Sequence, residues 1–95
     1  MKYMPEVVQV LPLENYYICV YFSDGSIKKY DVKPLIERGG VFAQIADVEF
    51  FRSRLTVMGM TAAWDVSGTR DERNCIDIDP CSLYEKGVDV EEPLK

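Results

Sequence analysis

The chain contains no histidine. The commonest general base at neutral pH is therefore missing, and Ser-His and Cys-His nucleophile systems are excluded with it. Zinc sites of mixed cysteine–histidine type are excluded for the same reason. Cysteine is scarce and odd in number, three in 95 residues. Cys75 and Cys81 stand outside the close spacing of a zinc knuckle, and only Cys19 is left to join them. Cys19 lies within an apolar strand pattern, where a thiol behaves as a small hydrophobe. An odd set of cysteines without an export signal fits the reducing cytoplasm. The opening MKYMPEVVQV lacks the uninterrupted apolar stretch of a secretory leader. No apolar run approaches the roughly 20 residues needed to span a bilayer. A cytoplasmic protein with no membrane contact is expected.

Basic residues are also in deficit, eleven against sixteen acids, for a net charge of −5 and a sequence pI near 4.6. Nucleic-acid affinity comes mostly from Lys and Arg displacing counterions, so direct nucleic-acid binding is not expected. Lys28, Lys29 and Lys33 form the only loose basic cluster, and Asp24 and Asp31 flank or interrupt it. An acidic surface is better matched to a basic protein.

What is present describes one small globule. Residues are 47% hydrophobic and 28% charged, as in a folded domain. A chain of this length buries about two-thirds of the surface it exposes when unfolded, which leaves little room for a deep enclosed pocket. Six tyrosines and four phenylalanines suit a pleated surface. The pattern predicts a single compact α+β domain over residues 1–87, with an acidic, loosely held tail over residues 88–95.

Strands are expected at 7–13, 16–22, 26–32, 54–58, 61–66 and 75–79, giving a small, mostly antiparallel sheet of five or six strands with short helices packed on it. The Ser23-Asp24-Gly25 turn allows two registers. A two-residue loop would pair Val20 with Lys29 and Ile18 with Asp31, placing two charges on the apolar face. A three-residue loop with Gly25 in the left-handed position puts Tyr16, Ile18, Val20 and Phe22 on one face with Tyr30 and Val32, and is preferred. Lys28 then stays on the core face and is expected to reach outward along its stem.

Pro34 begins a short helix that Gly39 stops. Val41, Phe42 and Ile45 follow at helical spacing, and Asp47 caps a turn through Phe51. None of these pieces is long enough to hold itself, so Leu35, Phe42, Ile45, Phe50 and Phe51 must pack on the sheet. Asp79 caps a last helix, Pro80 is its first residue, and Gly87 ends it. The segment from Ser67 to Asn74 is a polar loop. Trp64 shares a strand face with Ala62 and is read as core.

One constellation has chemical potential. Asp77 and Asp79 alternate with Ile76 and Ile78, so both carboxylates leave the strand on one face. With Asp65 or Glu72 they would make the oxygen-rich set that Mg²⁺ or Ca²⁺ prefers. A simpler reading accounts for the same residues: Ile76 and Ile78 face the core, Asp77 faces water, and Asp79 caps the next helix. The Gly39-Gly40 doublet lacks the further residues of a dinucleotide loop or P-loop. No catalytic residue and no cofactor is expected. The structural weight falls on Gly25, Pro34, Gly39, Trp64, Asp79 and Pro80.

The ordered set Pro5-x-Val7, Ile18-x-Val20-x-Phe22, Asp24-Gly25, Tyr30-Asp31-Val32 and Pro34-Leu35 carries a resemblance. Gly40-Val41-Phe42, Phe50, Trp64, Ile76-Asp77-Ile78-Asp79-Pro80 and Leu83-Tyr84 complete it. From Pro5 to Tyr84 the chain resembles the bacterial domain-of-unknown-function 2442 family. The charged stretch Thr69 to Asn74 looks longer than in that family, and the acidic tail lies outside the resemblance. The resemblance implies a compact α+β domain with no established activity, cofactor or site. It also implies genes that stand beside those of the domain-of-unknown-function 4160 family, in pairs resembling toxin–antitoxin modules.

Two functions are therefore expected to compete. One is a non-catalytic, antitoxin-like protein-binding module, whose partner is encoded by an adjacent gene and held by an acidic face, a sheet edge or the segment from Val88 to Lys95. The other is a divalent-metal-dependent enzyme or small-ligand binder using Asp65, Asp77 and Asp79. Self-association through an unprotected edge strand is a third, weaker expectation.

Overall fold

The computed structural model describes residues 5–66, 68 and 75–90. The polar loop expected from Ser67 to Asn74 lies, apart from Gly68, outside the described residues, as does most of the expected tail. Among the described residues seven strands and three α-helices follow in the order β1 (Val7–Pro12), β2 (Tyr17–Phe22), β3 (Ile27–Asp31), α1 (Lys33–Arg38), α2 (Val48–Arg54), β4 (Leu55–Met58), β5 (Thr61–Asp65), β6 (Cys75–Asp77), α3 (Pro80–Lys86) and β7 (Val88–Asp89). A 3₁₀ stretch, Gly40–Ala46, joins α1 to α2. The fold is α+β, as expected. Among the described residues no helix is long and apolar enough to cross a membrane.

The strands divide between two antiparallel sheets, where one sheet had been expected. One has the order β1-β2-β3-β7 and the other β4-β5-β6. The helical stretch after β3 carries the chain away from that strand, so β4 pairs with the strand that follows it instead. The sheets meet at the β4–β5 turn, where the Val7 N–H donates to the Met60 carbonyl at 3.3 Å. Ile18, Val20 and Phe22 of the first sheet share one core with Ala62, Trp64 and Ile76 of the second. Ile45, Phe51 and Leu83 close that core from the helical side, which is the packing their short elements need to persist.

The β2–β3 hairpin has the three-residue loop. Ile18 pairs with Tyr30 and Val20 with Lys28, and the Phe22 N–H donates to Ser26 O at 2.9 Å. Gly25 takes φ 90°, a left-handed value that a side chain would strain. Asp24 Oδ1 accepts the Ser26 N–H at 2.9 Å. That bond is the main reason its carboxyl lies below the ordinary carboxylate range, and the Tyr84 hydroxyl, donating at 2.9 Å, adds to it.

Lys28 does reach out from the core face, and it ends on a partner. Its Nζ lies 2.7 Å from Asp89 Oδ1 and 4.7 Å from the Tyr84 ring centroid. Asp89 belongs to β7, which pairs Lys28 with Asp89 and Lys29 with Val88. The first two residues of the expected tail thus form an edge strand on β3.

The β1–β2 connection turns on Asn15 and Tyr16, both left-handed at φ 59° and 62°. Glu14 O accepts the Tyr17 N–H across them, as in a type I′ turn. An aromatic residue is costly at that second position. Tyr16 is held there by edge-on contact with Phe51 at 5.2 Å and by its hydroxyl, which donates to Ala46 O.

Candidate functional site

Charged side chains stand beside apolar surface between α1, the 3₁₀ stretch and α3. They line an open cleft of about 490 Å³, within the range of ligand-binding pockets. Its apolar surface comes from Tyr30, Leu35, Phe42 and Ile78, and its polar rim from Asp31, Arg38, Asp77, Asp79, Ser82 and Lys86.

Each wall follows from local sequence. Asp31 ends β3, and its Oδ1 accepts the Lys33 N–H at 3.0 Å. That bond draws Lys33 into α1 and leaves Pro34 one position inside the helix, where its missing N–H costs nothing. Asp31, Pro34, Leu35 and Arg38 then recur at the spacing of one helical face. Gly39 ends α1, its N–H bonded to Ile36 O at 3.1 Å. The opposite wall repeats the plan. Asp79 Oδ1 accepts the Cys81 N–H at 3.1 Å, with Pro80 as the first residue of α3. Asp79, Ser82 and Lys86 line up along that helix at three- and four-residue intervals. Arg38 and Lys86 stand in the last turns of their helices, where the helix dipole favours a cation.

Electrostatically the rim is mixed. Asp31 and Asp79 each commit one oxygen to a backbone N–H and keep the other. The Asp77 and Lys86 side chains are exposed, and neither forms a hydrogen bond or ion pair among the described residues. Tyr30, at the base, has its hydroxyl pushed above the usual tyrosine range, chiefly by burial; the nearby Arg38 guanidinium opposes that shift and Asp31 reinforces it.

The structure brings two of the three expected carboxylates to this cleft and sends the third elsewhere. Asp65 is buried at the end of β5, opposite Cys75. Its Oδ1 accepts the Gly68 N–H at 3.1 Å, and its backbone oxygen accepts from Arg54 Nη1 at 3.2 Å. It lines a separate hollow of about 420 Å³ with Ser53, Arg54 and Thr56. Asp77 pairs with Ala63, two positions along, and Asp79 lies past the strand end. Among the described residues no three His, Cys, Asp or Glu side chains are grouped to hold a metal ion.

Trp64 has no exposed surface, and its Nε1 donates to Phe51 O at 3.0 Å. Cys19, Cys75 and Cys81 are free thiols. Burial raises the Cys19 thiol above its ordinary range, partly offset by a hydrogen bond with Tyr21.

Sequence reasoning named Asp77, Asp79 and Pro34 but missed Asp31, Arg38, Ser82 and Lys86 as a group. Their helical spacing was available. That the two faces oppose each other across Tyr30 and Ile78 is a non-local fact that spacing does not contain.

No curated protein and no solved structure matches the chain. A family model does, and its match runs over residues 7–89, from the start of β1 to the end of β7. The chain belongs to the family described as Protein of unknown function (DUF2442).

Proposed function

We propose that this protein is a non-catalytic protein-binding module, antitoxin-like in the sense that it holds a small basic protein encoded by an adjacent gene. The observation that carries the reading is the anatomy of the cleft, an apolar floor inside a ring of polar and charged groups. That is the arrangement of a protein interface, where the apolar centre supplies affinity and the rim supplies register. The net charge of −5 favours a basic partner by steering its approach. The cleft is open, which suits a protruding segment of another chain.

The test is co-expression of the tagged protein with each neighbouring reading frame of its source genome. The expected result is one-to-one recovery of a neighbour's product, lost when Ser82→Trp fills the cleft from the face of α3. Repeated recovery of no neighbour's product would overturn the proposal.

A further inference from the structure

We infer that the cleft is built for an extended segment carrying an arginine and, three residues away, an acid, with an apolar residue between them. This rests on the reading that the cleft is the docking surface, and it names the chemistry that would be recognised there.

Asp79 and Lys86 line the cleft from the two ends of α3. Seven residues at 1.5 Å each put their positions about 10 Å apart along the axis. An extended chain advances about 3.3 Å per residue, so positions i and i+3 cover the same distance. At the start of α3, Asp77 brings a carboxylate with no partner among the described residues, and Asp79 one whose second oxygen is uncommitted among them. Two carboxylates suit a guanidinium, which presents several donors in a planar fork. Phe42, half-buried in the same cleft, supplies aromatic surface beside which that plane can lie. At the other end Lys86 is an ammonium with no partner among the described residues, and it takes a carboxylate. Leu35, half-buried on the α1 side of the cleft, offers apolar surface to the intervening side chain. Along α3 the order is acid before the helix and base at its end.

The experiment uses the full chain, ¹⁵N-labelled, titrated with the peptide Ac-Arg-Ala-Leu-Glu-NH₂. The expected result is saturable shifts at Tyr30, Leu35, Asp77, Ser82 and Lys86. Replacing the peptide's arginine by citrulline, which keeps shape and removes charge, is expected to weaken binding about tenfold, the loss of one charge-assisted contact. Asp77→Asn is expected to do the same for the arginine peptide and little for the citrulline one. Lys86→Gln is expected to abolish the preference for glutamate over glutamine at the last position. Equal binding of the arginine and citrulline peptides, shifts confined to another surface, or no shift at millimolar peptide would each overturn the inference. The two proposals fail separately. If a neighbour's product is captured equally by wild type and Asp77→Asn, the arginine anchor falls and the module stands. If the peptide binds the cleft and no protein is captured, the module falls and the anchor stands.

Discussion

Strand β5 and the cleft treat polar groups in opposite ways. All five residues of β5 are buried, and the polar ones are satisfied. The Thr61 hydroxyl donates to Ile78 O at 2.6 Å, Trp64 donates to Phe51 O, and Asp65 accepts from Gly68. Among the described residues no buried side-chain nitrogen or oxygen lacks a partner. The cleft leaves Asp77 and Lys86 without one among the described residues. The difference follows from desolvation: an unpaired polar group is costly inside and nearly free in water. Unspent charge is tolerable only at the surface, and there it is available to another molecule.

The contrast can be broken from the buried side first. Trp64→Ala removes the largest fully buried side chain and is expected to cost about 3–5 kcal/mol, as other large-to-small core changes do. Urea unfolding followed by circular dichroism would measure it, and a loss under about 1 kcal/mol would show that the core is not centred there.

Gly87 lies between the regimes, at the end of α3. A Cβ there would meet Leu83 O at 2.6 Å and Lys28 Cβ at 2.9 Å. Gly87→Ala is expected to cost about 1–3 kcal/mol, because backbone must move to admit it. It is also expected to loosen β7, seen as faster amide exchange at Val90, whose N–H donates to Ile27 O at 2.9 Å.

Met60 is a smaller case, with the opposite sign. It is exposed and left-handed at φ 64°, a conformation asparagine tolerates better. Met60→Asn is expected to raise stability by up to about 1 kcal/mol. No gain on thermal unfolding would mean that the side chain makes contacts that offset its strain.

At the cleft, Asp77→Asn and Lys86→Gln are expected to change stability by less than about 0.5 kcal/mol, since neither side chain has a partner to lose among the described residues. A larger loss would show that these charges are structural.

The smallest effect concerns acid. The carboxyl of Asp24 is lowered in the folded state, so its contribution is complete above the ordinary carboxylate range and disappears as pH falls through the depressed value. Asp24→Asn is expected to flatten that part of the acid-unfolding curve. An unchanged curve would mean that the Ser26 and Tyr84 bonds do not distinguish the two charge states.

Much of the fold was legible because its signals are local. Gly25 after Ser23-Asp24 sets the hairpin register, and that register decides which of Tyr30 and Lys29 enters the core. Asp47 and Asp79 announce their helices by capping them, at 3.0 and 3.1 Å. The division into two sheets was not legible, because it depends on where the chain travels after β3. Nor was β7. Val88 and Asp89 read as an acidic tail until Lys28, 61 residues earlier, supplies the counter-charge. The cleft fell between these cases, with each wall visible as a helical face and their apposition invisible.

The central claim is that this cleft is where a protein partner docks. Isothermal titration of a co-purified partner against wild type and Ser82→Trp, with thermal melts of both, tests it most directly. The account predicts matching melts and at least about a tenfold loss of affinity, roughly 1.4 kcal/mol or more, when the cleft is filled. Undiminished affinity in a well-folded Ser82→Trp protein would place the partner on another surface and contradict the account.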